Sequence, residues 1–274
     1  MALLVHRPDL LEAIVGATER RVELSRAERS ARDIERQAGE MHPCGQAFED
    51  AVGHLGSLNI IAECKRRSPS RGVLRRQYDP VAIAKGYERA GAAAISVLTE
   101  PGFFDGHLSH LSAVRAGVSL PLLRKDFIVD DYQLVEARAS GADAVLLIVA
   151  ALDLSVLRRL RERACDLGLA ALVEVHDMTE LHMALDAGAT LIGVNNRNLR
   201  TLELDVGLSH EIARTMPAGV TMVSESGLQS ADDLTELSLL GFRAFLIGER
   251  FMTAPDPGAE LGRFLHRAED HPSA

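Results

Sequence analysis

Four times along this chain a helix-like segment ends in a glycine, then runs directly into a short apolar segment. The four are AGAAAIS from Ala90, SGADAVL from Ser140, AGATLIG from Ala187 and LGFRAFL from Leu240. A glycine there suits the left-handed residue that ends a helix and turns the chain back. Repetition of that junction makes the building block a βα module of roughly 20 to 35 residues, which lays successive strands parallel. Eight apolar runs fit the strands: Leu58 to Cys64, Ala92 to Leu98, Leu120 to Arg124, Ala144 to Val149, Ala170 to Val175, Leu191 to Val194, Val220 to Ser224 and Ala244 to Ile247. They are almost continuously aliphatic, as strands covered on both faces must be.

Amphipathic segments separate them: Pro80 to Ala90, Leu108 to Ala116, Tyr132 to Ser140, Leu154 to Leu167, Thr179 to Ala187, Gly207 to Arg214, Ala231 to Leu240 and Pro257 to Arg267. Asp79, Asp153, Asp177 and Ser230 stand where N-caps belong, and Gly91, Gly141, Gly168, Gly188 and Gly241 stand just past the helix ends. Eight modules close a (β/α)8 barrel, whereas six would make an open doubly wound sheet. No GxGxxG follows the first strand and no Walker A sequence occurs, which argues against the open sheet. The 274 residues also match the roughly 250 of one α/β barrel. The expectation is a single (β/α)8 TIM-barrel domain over residues 1–274, with residues 1–50 as an N-terminal helical extension. In that extension Pro8 is placed as a first helical residue, and Leu10, Leu11, Ile14 and Val15 form one docking face.

A formal charge of -9 argues against a nucleic-acid partner, which needs a basic face, and any anionic ligand must be met by local cations. Cys44, Cys64 and Cys165 form no CxxC or Cys/His cluster and are expected to be buried free thiols in a reducing compartment. The apolar start, Met1 to Val5, is too short for a signal peptide. The longest apolar stretch, Ala144 to Leu152, falls short of the roughly 20 residues that cross a bilayer. A cytoplasmic protein is expected, monomeric or at most a weak homodimer.

Chemistry in such a barrel comes from the C-terminal ends of the strands, and here those ends are rich in polar groups. Strand one ends in Glu63-Cys64-Lys65, with period two placing Glu63 and Lys65 on one face. Strand three ends in Arg124-Lys125-Asp126, strand five in Glu174, strand six in Asn195-Asn196-Arg197 and strand seven in Glu225-Ser226-Gly227. One charged strand end is ordinarily just solvated. Five together imply a ligand or a reaction, because converging charge is costly unless paired. Of 30 basic residues only Lys65, Lys85 and Lys125 are lysines, and two of those sit at strand ends. An ammonium can release a proton where a guanidinium cannot, so these positions point to proton transfer. Lys85 lies mid-helix and reads as surface. Ser226-Gly227 and Gly248-Glu249 follow strands seven and eight, where barrels bind phosphate on backbone N–H groups, with Lys65 and Ser68 able to approach. His107, His110 and His176 lie in no HxxE or HExxH pattern, so no metal is expected.

With these residues in place the chain resembles indole-glycerol-phosphate synthases. The motifs are IAECKRRSPSRG (61–72), LRKDFIVDDYQ (123–133), ADAVLLI (142–148), LVEVH (172–176), IGVNNRNL (192–199), SESG (224–227) and LIGERFM (246–252), within a similarity running from about Phe48 to Phe264. The resemblance implies conversion of carboxyphenylamino-deoxyribulose phosphate into indole-glycerol phosphate, with loss of carbon dioxide and water and without a cofactor. It makes Lys125 the general acid, Glu174 the general base, Lys65 the lysine on the substrate anions, and Glu63 its holder. Asn195 and Arg197 orient the sugar chain and carboxylate, Glu225 and Ser226 are polar site residues, and Ser226, Gly227, Gly248 and Glu249 surround the phosphate. Phe104, Phe127, Leu146, Leu199 and Ile247 receive the aromatic ring. Two departures concern loops and affinity: Cys64 stands where an aliphatic residue is common, and the second loop reads EPGFFDGH with an added acidic residue. The chain ends soon after the eighth helix, leaving no room for the isomerase domain sometimes fused to this enzyme. The rival readings are a phosphoribosyl isomerase, a Schiff-base aldolase using Lys125, and a catalytically silent barrel.

Overall fold

The computed structural model describes residues 9–269. Eight parallel strands form a closed barrel: β1 (Asn59–Cys64), β2 (Ala94–Leu98), β3 (Leu122–Lys125), β4 (Ala144–Ile148), β5 (Ala170–Val175), β6 (Leu191–Asn195), β7 (Thr221–Glu225) and β8 (Phe242–Ile247). β1 pairs with both β2 and β8, which closes the ring. Every expected strand is present. β3, β6 and β7 each run one residue further than the apolar runs suggest, because hydrogen bonding continues through the first polar residue. Lys125 is in register with Leu98, and Asn195 with Glu225.

Alternation sorts each strand into two sets. Ile61, Leu123, Leu146, Leu172, Val223 and Ala244 point inward and pack in the barrel interior. Ile60, Val97, Leu147, Val173, Ile192 and Phe245 point outward beneath the helices. Two residues beyond the inward positions of β1, β3, β5, β6 and β7 stand Glu63, Lys125, Glu174, Asn195 and Glu225, so the polar rim is the barrel interior carried on, while β4 and β8 keep the apolar Ile148 and Leu246.

The surrounding helices begin where their caps require. Asp79, Asp153, Asp177 and Ser230 each accept a backbone N–H from the first turn, Ser230 within a full capping box with Asp233. Caps of this kind contribute about 1 kcal/mol each. The glycine closing each of the four repeated junctions has positive φ, from 79° at Gly188 to 102° at Gly241, in the region that disfavours a side chain.

The N-terminal segment is more than one amphipathic helix. α1 (Leu10–Glu28), α2 (Ala31–Gly39) and α3 (Gly45–Gly53) precede the barrel. Asp9 caps α1, so the helix starts after Pro8, which itself lies outside the described residues. α1 lies at the catalytic end, tied down by Arg21 to Asp126 (2.8 Å) and Arg26 to Asp130 (2.6 Å). α2 lies on the outside, where the Arg138 guanidinium donates to the Ala38 carbonyl at 2.8 Å. α3 plugs the opposite mouth: Phe48 and Val52 are fully buried among Ala94, Ala170 and Ala244 of the interior. At the seam, the Asn59 side-chain amide donates to the carbonyls of Val52, His54 and Arg243, joining α3, the first strand and the last.

The cysteine expectation holds in one case of three. Cys64 is buried, where burial pushes its thiol far up, but Cys44 and Cys165 are exposed. His107 caps α6 (Leu108–Arg115), and His110 packs edge-on against Tyr78. Among the described residues no helix is long and apolar enough to cross a membrane.

Candidate active site

The strand ends open into a cavity of about 490 Å³ bordered by all the residues singled out in the sequence as site residues. Its polar wall centres on Lys125. The ammonium lies 2.7 Å from Glu174 Oε2 and 2.6 Å from Glu225 Oε2, so one cation from β3 is shared by carboxylates from β5 and β7. Lys65 forms a second ion pair with Glu63 at 2.5 Å. Three inward carboxylates crowd one ring, and two glycines make the space. A Cβ on Gly193 would lie 2.3 Å from Glu225 Oε1, and one on Gly248 would lie 2.2 Å from Glu63 Oε2. No side chain fits at either position without displacing a carboxylate.

Burial shapes the titration of this cluster. It opposes the charge of Lys125, but the neighbouring Glu174, Glu225 and Glu63 outweigh it and hold the amine protonated well above the lysine range. Burial likewise opposes the ionisation of Glu174, yet Lys125 and His176 hold that carboxyl far below its ordinary value. Glu225 bears the cost: its burial, together with the charge of Glu174, pushes it up to about 7 despite Lys125. Two carboxylates that share one cation thus separate into an ionised one and one that still carries a proton near neutrality.

The opposite wall is apolar. Phe104 and Phe127 lie with ring centroids 6.2 Å apart at 36°, and Leu146 and Leu199 continue the surface. Ile247 borders the cavity but packs into the barrel–helix layer, and Leu246 is the inward apolar residue of β8. Leu10 and Ile14 of α1 also line the cavity. The docking face expected of α1 therefore covers the mouth of the site as well as the barrel, which periodicity alone does not reveal.

At the far end, Ser226 and Gly227 both have positive φ, 61° and 80°. Two left-handed residues in succession bend the chain sharply at the end of β7, a strained arrangement of the kind found at ligand sites. Asn195 Oδ1 accepts from the Arg197 backbone N–H at 3.0 Å. Ser68 is buried, and its hydroxyl accepts from the Arg71 N–H. Glu249 stands where expected, but its carboxylate is paired with Arg71 at 2.8 Å and lies 4.0 Å from Arg197. An anion arriving here would meet guanidinium groups and main chain, and that carboxylate would repel it. Arg71 went unnoticed in the sequence because it lies in a turn of the short hairpin Arg67–Ser68/Gly72–Val73, where arginine is ordinarily solvated.

A sequence description of one family, "Indole-3-glycerol phosphate synthase", matches residues 11–264. The chain is 45% identical over 260 residues to the indole-3-glycerol phosphate synthase of Bordetella pertussis, covering 94% of this chain and 99% of that protein. It is 55% identical over 207 residues to the protein of the same description from Parafrankia sp., covering 76% and 77%. Among solved structures, 3-hexulose-6-phosphate synthase from Salmonella typhimurium superposes with a TM-score of 0.63 at 13% identity, over 78% of this chain and 100% of that one. KGPDC from Streptococcus mutans gives 0.59 at 14% identity, over 78% and 98%. At those identities the structural likeness speaks to the fold alone.

Proposed function

Because this chain belongs to the indole-3-glycerol phosphate synthase family, a carboxy-lyase family of tryptophan biosynthesis, we propose that the shared ammonium of Lys125 and its two carboxylates carry the ring closure and dehydration. The observation that supports this is Nζ of Lys125 held 2.7 and 2.6 Å from Glu174 and Glu225, facing an apolar wall across one cavity. That wall suits the flat ring of carboxyphenylamino-deoxyribulose 5-phosphate, and the cations at the far end suit its phosphate.

In this reading the ring carbon bearing the carboxylate attacks the sugar ketone, and Lys125 protonates the ketone oxygen as the carbon–carbon bond forms. The bond to the carboxylate then breaks, carbon dioxide leaves, and its electron pair restores the aromatic ring. In the last step the hydroxyl departs as water with a proton supplied from the side of Lys65. Glu174 takes the proton from the ring nitrogen, whose lone pair assists the departure of that water; loss of a proton from the adjacent methylene carbon then forms the new double bond, and Glu174 returns its proton to nitrogen, so that only water is lost. Glu225 is placed to return a proton to Lys125. Glu63 holds Lys65, Asn195 and Arg197 orient the sugar chain and carboxylate, and Ser68, Arg71, Gly227, Gly248 and the main chain of Glu249 receive the phosphate. We place the enzyme in the cytoplasm as a monomer.

The test is direct. Purified protein incubated with carboxyphenylamino-deoxyribulose 5-phosphate should develop indole fluorescence in step with carbon dioxide release. Borohydride added during turnover should leave every lysine unmodified. A lysine adduct would transfer the site to Schiff-base chemistry, and neither product forming would remove the assignment of these roles.

A further inference from the structure

Behind Glu174, away from the cavity, lies a group that the acid–base steps do not use. His176 follows the end of β5, and its side chain is only 5% exposed. Its Nε2 is 3.2 Å from Glu174 Oε1, and its Nδ1 is 3.0 Å from Glu180 Oε2. Glu180 lies in the first turn of the next helix, α9 (Met178–Asp186), and the same oxygen also accepts the His176 backbone N–H at 2.7 Å. Both ring nitrogens therefore approach carboxylate oxygens, Nδ1 with hydrogen-bond geometry and Nε2 as a close ion-pair contact without it. Either neutral tautomer would turn a lone pair toward one of those oxygens, and only the doubly protonated ring presents N–H on both sides.

We infer that His176 is a positioning residue for the reaction: held as an imidazolium between Glu180 and Glu174, it is the second cation that keeps Glu174 ionised while Lys125 is shared with Glu225. The inference rests on Glu174 acting as the base. Without His176, Lys125 would be the sole cation adjoining two buried carboxylates, and Glu174 would compete with Glu225 for it. With His176 on one oxygen and Lys125 on the other, Glu174 is bracketed by opposite charge on both sides. The contacts with Glu174 and Glu180 outweigh burial and push the imidazole up to about 10, so the cation persists across the neutral range.

The charged groups around this arrangement are few. Lys125 faces Glu174 from β3, Glu225 from β7, and Glu63 of β1 acts on both through Lys125. On the outer side, α9 presents Glu180, and Asp177 is engaged in capping α9 through the Glu180 N–H. From β6, Asn195 borders the cavity without charge.

Three measurements decide the matter. The nitrogen chemical shifts of His176 in the wild-type enzyme should report an imidazolium at pH 7.5; a neutral ring there overturns the proposal whatever any variant does. His176→Gln keeps an N–H donor toward Glu174 and removes the charge. The shared proton of the Glu174/Glu225 pair should then be held more tightly. The acidic limb of kcat/KM should move up by about one pH unit, read as a loss of about tenfold on that limb, with KM little changed and a lower melting temperature. Glu180→Gln should lower the imidazole pKa, so that its nitrogen shifts report a neutral ring at lower pH than in the wild type. A folded His176→Gln enzyme with an unmoved profile reduces His176 to a structural role. Glu174→Gln run alongside separates the two assignments. If it turns over normally the base is misassigned, and if it is inactive while the histidine results fail, only the inference falls.

Discussion

Replacing Lys125 by methionine keeps the length of the side chain and removes the one cation between Glu174 and Glu225. Both carboxylates remain buried, with side chains 2% exposed, and lose contacts of 2.7 and 2.6 Å. Breaking a buried pair in this way costs about 3–5 kcal/mol, because a charge is left without its partner. The protein's escape is to protonate, and that makes the cost depend on pH. Glu174 is ionised across the neutral range in the wild type, so it contributes no slope there. His176 still adjoins it in the variant, so the proton goes to Glu225, whose pKa, about 7 in the wild type, rises further without Lys125; the folded state then keeps to higher pH a proton the unfolded state lacks, and stability falls as pH rises. Since wild-type Glu225 releases its proton near pH 7, the gap to wild type widens between pH 5 and pH 8 by about 1–2 kcal/mol, nearly all of it above pH 7, at 1.36 kcal/mol per unit. At about 2–4 °C per kcal/mol for a chain of this size, the difference in melting temperature should grow by several degrees over that interval. Thermal melts of both proteins at pH 5, 6.5 and 8, followed by circular dichroism, measure it. Acid should restore stability and leave turnover down by about 10²–10⁴-fold, since the general acid is gone. A gap that stays constant or narrows toward pH 8 would refute the account of two carboxylates dependent on one ammonium.

Glu174→Gln should lower turnover by about 10²–10⁴-fold with KM within a few-fold, read from steady-state fluorescence; a near-normal rate rejects the base assignment. Gly193→Ala brings a methyl to 2.3 Å from Glu225 Oε1, so it should cost about 1–3 kcal/mol in a melt and reduce kcat by displacing that carboxylate from Lys125. Phe48→Ala should destabilise by about 3–5 kcal/mol while leaving kcat and KM of the folded enzyme near wild type, because its ring fills the mouth opposite the cavity.

Much of this was legible because parallel strands announce themselves. Eight aliphatic runs give the barrel, the five that end in polar residues give its chemical rim, and period two gives the shared direction of Glu63 and Lys65. What escaped reading depended on groups meeting across the ring. Gly193 looks like an ordinary small residue, and Gly248 like part of a phosphate loop, until Glu225 and Glu63 are seen to occupy the space a Cβ would take. α3 carries only two deeply buried apolar side chains in nine residues, Phe48 and Val52, too few for a periodic signal. In the sequence His176 stands out only by the metal-binding patterns it fails to fit. Its own signal was present: a histidine just past an inward glutamate, followed by Glu180 four positions on, in the opening turn of a helix. Arg71 and the α1 residues Leu10 and Ile14 were hidden for a further reason, since lining a mouth is a property of where an element lands.

The amide of Asn59 gives the molecule a temporal order. It grips a carbonyl 184 positions downstream, at Arg243, as well as carbonyls just upstream in its own chain. During synthesis on a ribosome the first strand emerges long before that distant acceptor exists, and until then one flank of its backbone has nothing to pair with. The ring can be sealed only when nearly the whole polypeptide has been made, so nascent intermediates carry an open edge and should be the species most in need of protection by chaperones.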